Sequence, residues 1–115
     1  MNINKNVVIA QAYYSAMAKK NSVEVEKHLH PDVRLIGPYG EKVGKKVVFE
    51  AAKKFMHMFS AIKIHSQFGS DQQVALAYDL LEFGEHAHTL RAASLMTFKD
   101  GLIIKNELFF DTKSL

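Results

Sequence analysis

A carboxylate set in an apolar run is the first feature of this sequence that bears on chemistry. Asp79 interrupts Val74-Ala75-Leu76-Ala77-Tyr78-Asp79-Leu80-Leu81, a segment with the composition of a buried strand. Side chains alternate faces along a strand, so two placements are open. With Ala77 and Leu81 inward, Asp79 is desolvated, its pKa rises, and it becomes a catalytic general acid or base in a cleft. With Tyr78 inward, it is a sheet-surface charge, paired across strands with Arg91 or across a dimer interface. Ser94 and Asn106 interrupt later apolar segments in the same way. If Ser94 faces inward, period two carries Leu90, Ala92, Met96 and Phe98 to its side, and the next strand adds Asn106, Leu108 and Phe110. Tyr13, Ser94 and Asn106 then punctuate walls made by Phe55, Phe59, Met96 and Phe110, the composition of a pocket for a small hydrophobic molecule. Tyr39, in the turn Gly37-Pro38-Tyr39-Gly40, completes the expected ligand contacts. The same residues also fit a plain core, in which Ser94 and Asn106 bond buried backbone and Tyr13 is a structural tyrosine.

Other chemistries find less support. The six histidines include His28-x-His30 and His86-x-His88, and the second pair could converge with Glu82 across a hairpin. A catalytic zinc takes three protein ligands, and no His-Glu-x-x-His spacing occurs, so these read as exposed histidines and no metal site is expected. With no cysteine, disulfides, zinc knuckles, thiol nucleophiles and iron–sulfur clusters drop out. Glycine-rich phosphate loops, nucleophile elbows and dinucleotide fingerprints are missing too, which argues against kinases, hydrolases and dehydrogenases and leaves no cofactor to expect. Fifteen Lys+Arg against twelve Asp+Glu give a net charge of +3. The basic residues fall in scattered pairs such as Lys19-Lys20, Lys45-Lys46 and Lys53-Lys54, not in a stripe that would track nucleic acid. Val7–Ala10 is shorter than the roughly 7–15 apolar residues of a signal peptide, and no stretch reaches the roughly 20 needed to span a bilayer. A cytoplasmic protein without membrane or nucleic-acid partners is expected.

The elements that must position these side chains follow from periodicity. Ile9, Ala12, Tyr13, Ala16 and Met17 mark one face of a helix over about residues 5–20, and Ser22 is placed to cap a second helix that Pro31 stops. Val33–Ile36 reads as a short strand, followed by the Gly37–Gly40 turn and an exposed charged loop to Gly44. Val48, Ala51, Ala52, Phe55 and Phe59 define a third helix with His57 on its wet side. From Ala61 the period becomes two, with Ile62, Ile64, Ser66 and Phe68 on one face. Strands Val74–Phe83, His86–Phe98 and Leu102–Asp111 follow, the first two joined by a tight Gly84-Glu85 turn. The order α-α-β-α-β-β-β-β is α+β, one domain spanning residues 1–115, with three helices in the N-terminal half and a mainly antiparallel sheet. The last strand is apolar on both sides, with Ile103 and Phe109 opposite Leu102, Ile104, Leu108 and Phe110. Helices cover only one sheet face, so this second apolar side predicts a homodimer through the outer face.

This element order, together with Ala12-Tyr13-Tyr14-Ser15-Ala16-Met17, Asp32-Val33-Arg34-Leu35-Ile36-Gly37-Pro38-Tyr39-Gly40 and Phe98-Lys99-Asp100-Gly101-Leu102-Ile103, resembles the nuclear transport factor 2-like superfamily. That group includes ketosteroid isomerases, scytalone dehydratase and SnoaL-like polyketide cyclases. The resemblance implies a cystatin-like cone, with a strongly curved sheet wrapped round the first helix and an apolar pocket between them. It also implies that Tyr13 matches the tyrosine that hydrogen-bonds the oxyanion in ketosteroid isomerase, a system well known for its perturbed carboxyl groups. The isomerase's base falls at Gly37, just before the Pro-x-Gly turn, and its protonated carboxyl falls at Ser94. Neither residue can replace a carboxyl group, which argues against steroid isomerisation by that mechanism.

Two functions stand open at this point. One is a cone that binds a small hydrophobic molecule and acts without cofactor as an isomerase, cyclase or dehydratase of a carbonyl compound, with Tyr13 as hydrogen-bond donor and an inward Asp79 moving the proton. The other is a non-catalytic carrier or dimerisation module of the same fold. An outward Asp79, with no other carboxylate or histidine in the cavity, would remove the agent of the first.

Overall fold

A computed structural model describes residues 4–111. Helix α1 (Lys5–Ala18) starts where the Asn4 side chain accepts hydrogen bonds from the Asn6 and Val7 amides. It buries Ala10, Tyr13, Tyr14, Ala16 and Met17. Tyr13, Ala16 and Met17 keep their expected burial, but the stripe is turned so that Ala10 and Tyr14 replace Ile9 and Ala12. Ile9 is half-buried and Ala12 exposed, while Ala10 and Tyr14 lie inside. Both stripes of this alanine-rich helix are apolar, and the choice falls to Tyr14 because its hydroxyl finds partners in the sheet.

Helix α2 (Ser22–Lys27) is capped by the side chain of Asn21, which accepts from the Glu24 amide, in place of the expected Ser22. Pro31 does not stop it. The chain is already extended in strand β1 (Leu29–Gly37), and Pro31 falls where the β1 ladder shifts register, a position that tolerates a missing N–H. The expected charged loop is instead an exposed edge strand, β2 (Gly40–Val43), hairpin-paired to β1. Helix α3 (Lys45–Met56) buries Val48, Ala52 and Met56, while Phe59 lies beyond its end. There Lys20 Nζ donates to the carbonyls of Met56 and Phe59 and stands 4.0 Å from the Phe59 ring centroid. A cation at a helix C-terminus satisfies carbonyls that lack intrahelical donors, so Lys20 ties the end of α1 to the end of α3.

Strands β3 (Ala61–Gly69), β4 (Gln73–Phe83), β5 (His88–Lys99) and β6 (Leu102–Phe110) complete one sheet of order β2-β1-β6-β5-β4-β3. The β1–β6 pair is parallel and the others antiparallel. Three helices on the concave side of this curved, unclosed sheet make the α+β cone. Among the described residues no helix is long and apolar enough to cross a membrane.

The sheet curves through bulges, each an unpaired residue that bends its strand and flips the alternation beyond it. In β3, Ile64 pairs with Tyr78 and Ser66 with Ala77, leaving His65 as the extra residue. Gln67 then turns inward and Phe68, expected beside Ile62 and Ile64, is 72% exposed on the outer face. In β6, Thr97 pairs with Lys105 but Phe98 with Ile103, so Ile104 is extra. Ile103 is consequently fully buried against Leu29 of β1, not on the outer face, whereas Phe109 does lie outside. The β4–β5 connection is also wider than a two-residue turn, with left-handed backbone at Glu82, Gly84 and Ala87.

Candidate functional site

Strand β4 buries Val74, Leu76, Tyr78 and Leu80, which settles the alternation and turns Asp79 to the outer face. There it accepts from His65 Nε2 at 2.8 Å, with Arg91 Nε at 3.4 Å from its other oxygen. The His65 hydrogen bond, assisted by Arg91, holds its carboxyl below the usual range, the opposite of the desolvated acid that catalysis would need. Pairing explains the trio: Lys63 of β3 and Arg91 of β5 flank Asp79 in the sheet, and His65, two residues beyond Lys63, shares their face. A depressed carboxyl makes stability rise with pH: the unfolded chain binds more protons between the folded and ordinary values, so the contribution is complete above the ordinary value and lost as pH falls through the folded one. Urea unfolding of Asp79→Asn and wild type from about pH 2 to pH 6 should show a difference that grows with pH and then levels. A constant difference would remove the assigned role.

On the other side of the sheet a cavity of about 280 Å³ opens between α1, α3 and strands β1, β2 and β6. Tyr13, Tyr14 and Met17 line it from α1, Ala51, Ala52 and Phe55 from α3, and Leu35, Asn106, Leu108 and Phe110 from the sheet. The Gly37–Gly40 turn, Glu41 and Lys42 form the mouth, where Tyr39 stands edge-on to Phe110 at 6.4 Å. Of the expected contacts, Tyr13, Tyr39, Phe55, Asn106 and Phe110 therefore meet at one cavity. Met96 and Phe59 lie outside its lining. Met96 is wholly buried in the core, and Phe59, past the end of α3, packs edge-on to Phe55 and under Lys20.

Ser94 lies outside the lining as well, at the centre of a buried hydroxyl network. Its Oγ is 2.5 Å from Tyr14 Oη and 2.7 Å from Tyr78 Oη, and the two phenols are 3.3 Å apart. Asn106 Nδ2 donates to Tyr14 Oη at 3.5 Å, while Asn106 Oδ1 is buried with no hydrogen-bond partner among the described residues. Neither Tyr14 nor Tyr78 stands out as a site residue in the sequence; the signal available was a phenol on each of two apolar segments facing a buried serine. Burial raises the Tyr78 pKa well above its ordinary value.

Tyr13 packs edge-on to Tyr14 with ring centroids 5.3 Å apart. Its hydroxyl makes no hydrogen bond to another described residue, although the side chain lines the cavity. Burial first, and the neighbouring Tyr14 second, push its pKa upward. It therefore stays protonated through the neutral range and offers a donor to whatever occupies the cavity. At the mouth, Arg34 Nε holds the Glu41 carboxylate, and that hydrogen bond keeps the Glu41 pKa low. Gly37 is part of the wall and has no acid to offer. His86 and His88 are exposed with rings 5.9 Å apart, and no three metal-ligating side chains gather among the described residues.

Comparison with known proteins places this geometry. A family model described as a SnoaL-like domain matches residues 10–106. No curated protein matches the sequence significantly. Among solved structures, a nuclear transport factor 2-like protein of unknown function from Cytophaga hutchinsonii superposes with a TM-score of 0.81 at 21% identity, covering 99% of this chain and 96% of that one. A steroid delta-isomerase from Pseudomonas aeruginosa gives 0.80 at 20% identity, covering 97% and 83%. A candidate SnoaL-like polyketide cyclase from Jannaschia sp. CCS1 gives 0.82 at 13% identity, covering 96% and 88%. At these identities the structures show a shared fold, that of nuclear transport factor 2-like proteins, and the sequence match supplies the family: the chain belongs to the SnoaL-like domain family.

Proposed function

We propose that this protein binds a small, largely apolar molecule through one oxygen, to which Tyr13 donates a hydrogen bond. The observation that carries the reading is Tyr13, which lines a largely apolar cavity and whose hydroxyl, protonated through the neutral range, has no hydrogen-bond partner among the described residues. A buried hydroxyl in a settled core finds a partner, and one left at a cavity is available to a ligand. At about 280 Å³ the cavity lies at the small end of ligand sites, which run from about 300 to 1,000 Å³.

The proton-transfer form of this reading, an isomerase, cyclase or dehydratase acting on a carbonyl compound, lacks its base. Asp79 faces away, and the lining carboxylate, Glu41, is held ionised by Arg34 at the rim, which makes it a weak proton acceptor. Ligand carriage is therefore favoured over catalysis. A thermal-shift screen against small hydrophobic ketones tests it: at least one should raise the Tm. Tyr13→Phe should weaken that compound about three- to tenfold, the value of one neutral hydrogen bond at about 0.5–1.5 kcal/mol. Equal affinity in Tyr13→Phe, or no shift with any compound, would defeat the reading.

For the outer sheet face we propose a second copy of this chain as partner. Phe68 and Phe109 are exposed there, and the face carries both signs of charge, with Asp79 and Glu107 set among Lys63, Arg91 and Lys105. A two-fold pairing can set each sign against its opposite. Light scattering should give a dimeric mass for wild type and a monomeric one for Phe109→Lys; a monomeric wild type, or a dimer in both, refutes this interface.

A further inference from the structure

We infer that the ligand is an organic anion, an apolar keto or hydroxy acid whose carboxylate pairs with Lys42 at the cavity mouth. The inference rests on the ligand-binding reading above and adds the charge of the ligand and the residue that selects for it. It starts from the register of the β1–β2 hairpin. Leu35 is paired with Lys42 and Ile36 with Glu41, so cross-strand partners share a face and the two faces alternate. Leu35 and Lys42 belong to the face that lines the cavity.

Alternation thus separates the two charges of this short strand. Glu41 reaches the rim, but its carboxylate is taken up by Arg34. Lys42 has no ion-pair or hydrogen-bond partner among the described residues. Among the described residues the charged side chains lining the cavity are these two, so with Glu41 paired to Arg34 the mouth presents one unbalanced cation. Tyr13, buried where Lys42 is exposed, lines the same cavity and carries a donor with no acceptor among the described residues. Between the two lie aliphatic and aromatic walls, including Leu35, Phe55, Leu108 and Phe110. The complementary molecule therefore has an acceptor oxygen at one end, an apolar body, and an anionic group at the other end. An amine is disfavoured at the mouth, and a neutral ketone leaves Lys42 unanswered. Lysine on an edge strand also serves to repel other strands. A lysine with only that duty would leave ligand affinity unchanged when replaced.

Calorimetric titration of the whole chain separates these roles. The probes are 3-(4-acetylphenyl)propanoic acid and its acetic acid homologue, each against the primary alcohol of the same skeleton. In wild type each acid should bind about three- to tenfold more tightly than its alcohol at low salt, and the margin should shrink at high salt as the exposed ion pair is screened. Lys42→Met should abolish the preference for acid over alcohol while leaving the Tm of the free protein unchanged, and Lys42→Arg should keep the preference. Alcohols that bind as well as acids in wild type, or a preference that survives Lys42→Met, would overturn the assignment of Lys42 and leave the cavity reading standing. If neither acids nor alcohols bind and the neutral ketones give no thermal shift, the cavity reading falls and this inference falls with it.

Discussion

Ile103→Ala is expected to lower the unfolding free energy by about 2–5 kcal/mol, the range for deleting buried branched aliphatic carbons where the surroundings cannot close the hole. Ile103 is fully buried, pairs with Leu29 of β1 on one side and Phe98 of β5 on the other, and so joins the parallel and antiparallel halves of the sheet. Phe109, on the same strand, is 55% exposed. At concentrations low enough to keep the chain monomeric, Phe109→Ala should change stability by no more than about 0.5 kcal/mol. Urea denaturation of the two variants reads the bulge at Ile104 directly. Were β6 unbroken, both residues would lie on the outer face and neither replacement would cost more than about 1 kcal/mol, and that result would show the assigned register to be wrong.

The second large effect belongs to the hydroxyl network. Ser94→Ala removes the atom to which both Tyr14 and Tyr78 are bonded, in a site where Ser94 and Tyr78 are each 2% exposed. Water does not replace the missing partner cheaply there, so the expected loss is about 1–3 kcal/mol. Tyr78→Phe alone should cost less, because the 2.5 Å bond between Tyr14 and Ser94 survives. The double variant Ser94→Ala with Tyr78→Phe should be more stable than the sum of the two losses predicts, by about 0.5 kcal/mol or more, since it removes one stranded hydroxyl together with its partner. Strict additivity in chemical denaturation, or a loss under about 0.5 kcal/mol for Ser94→Ala, would mean that the short distances carry no energy.

The network also bears on how the cavity works. Tyr14, fixed by Ser94, Tyr78 and Asn106, packs edge-on against Tyr13 and so presents that ring to the cavity from a rigid base. Ser94 takes the place at which the resemblance to ketosteroid isomerase implies a protonated carboxyl. A hydroxyl there can orient a phenol but cannot share a developing negative charge as a carboxylic acid would.

Most of the cone was legible from local pattern. Helical spacing at Val48, Ala52 and Phe55, the change to period two after Ala61, and the inward series Leu90, Ala92, Ser94, Met96 and Phe98 all recur in the structure. These are signals within one element, where burial on one face leaves a periodic trace. The same kind of trace sufficed to bring Tyr13, Asn106 and Phe110 together, because each lies on an inward face that its own segment declares.

Tertiary structure alone decided the rest. Whether Asp79 or Tyr78 faces inward depends on what the opposite layer offers: Tyr78 finds hydroxyl partners on α1 and β5, and Asp79 finds His65 and Arg91 on the outer face. The bulges at His65 and Ile104 leave no local mark, since an unpaired residue is defined only by the strand it fails to match, and each one reversed the facing of an aromatic or aliphatic side chain beyond it. The edge strand β2, exposed throughout, has no buried face to betray it, yet its register with β1 is what turns Lys42 toward the cavity. Composition and periodicity thus determined which elements form and in what order, with the exception of β2. Which way their polar side chains point, and so what the site can hold, was left to pairing between residues far apart in the chain.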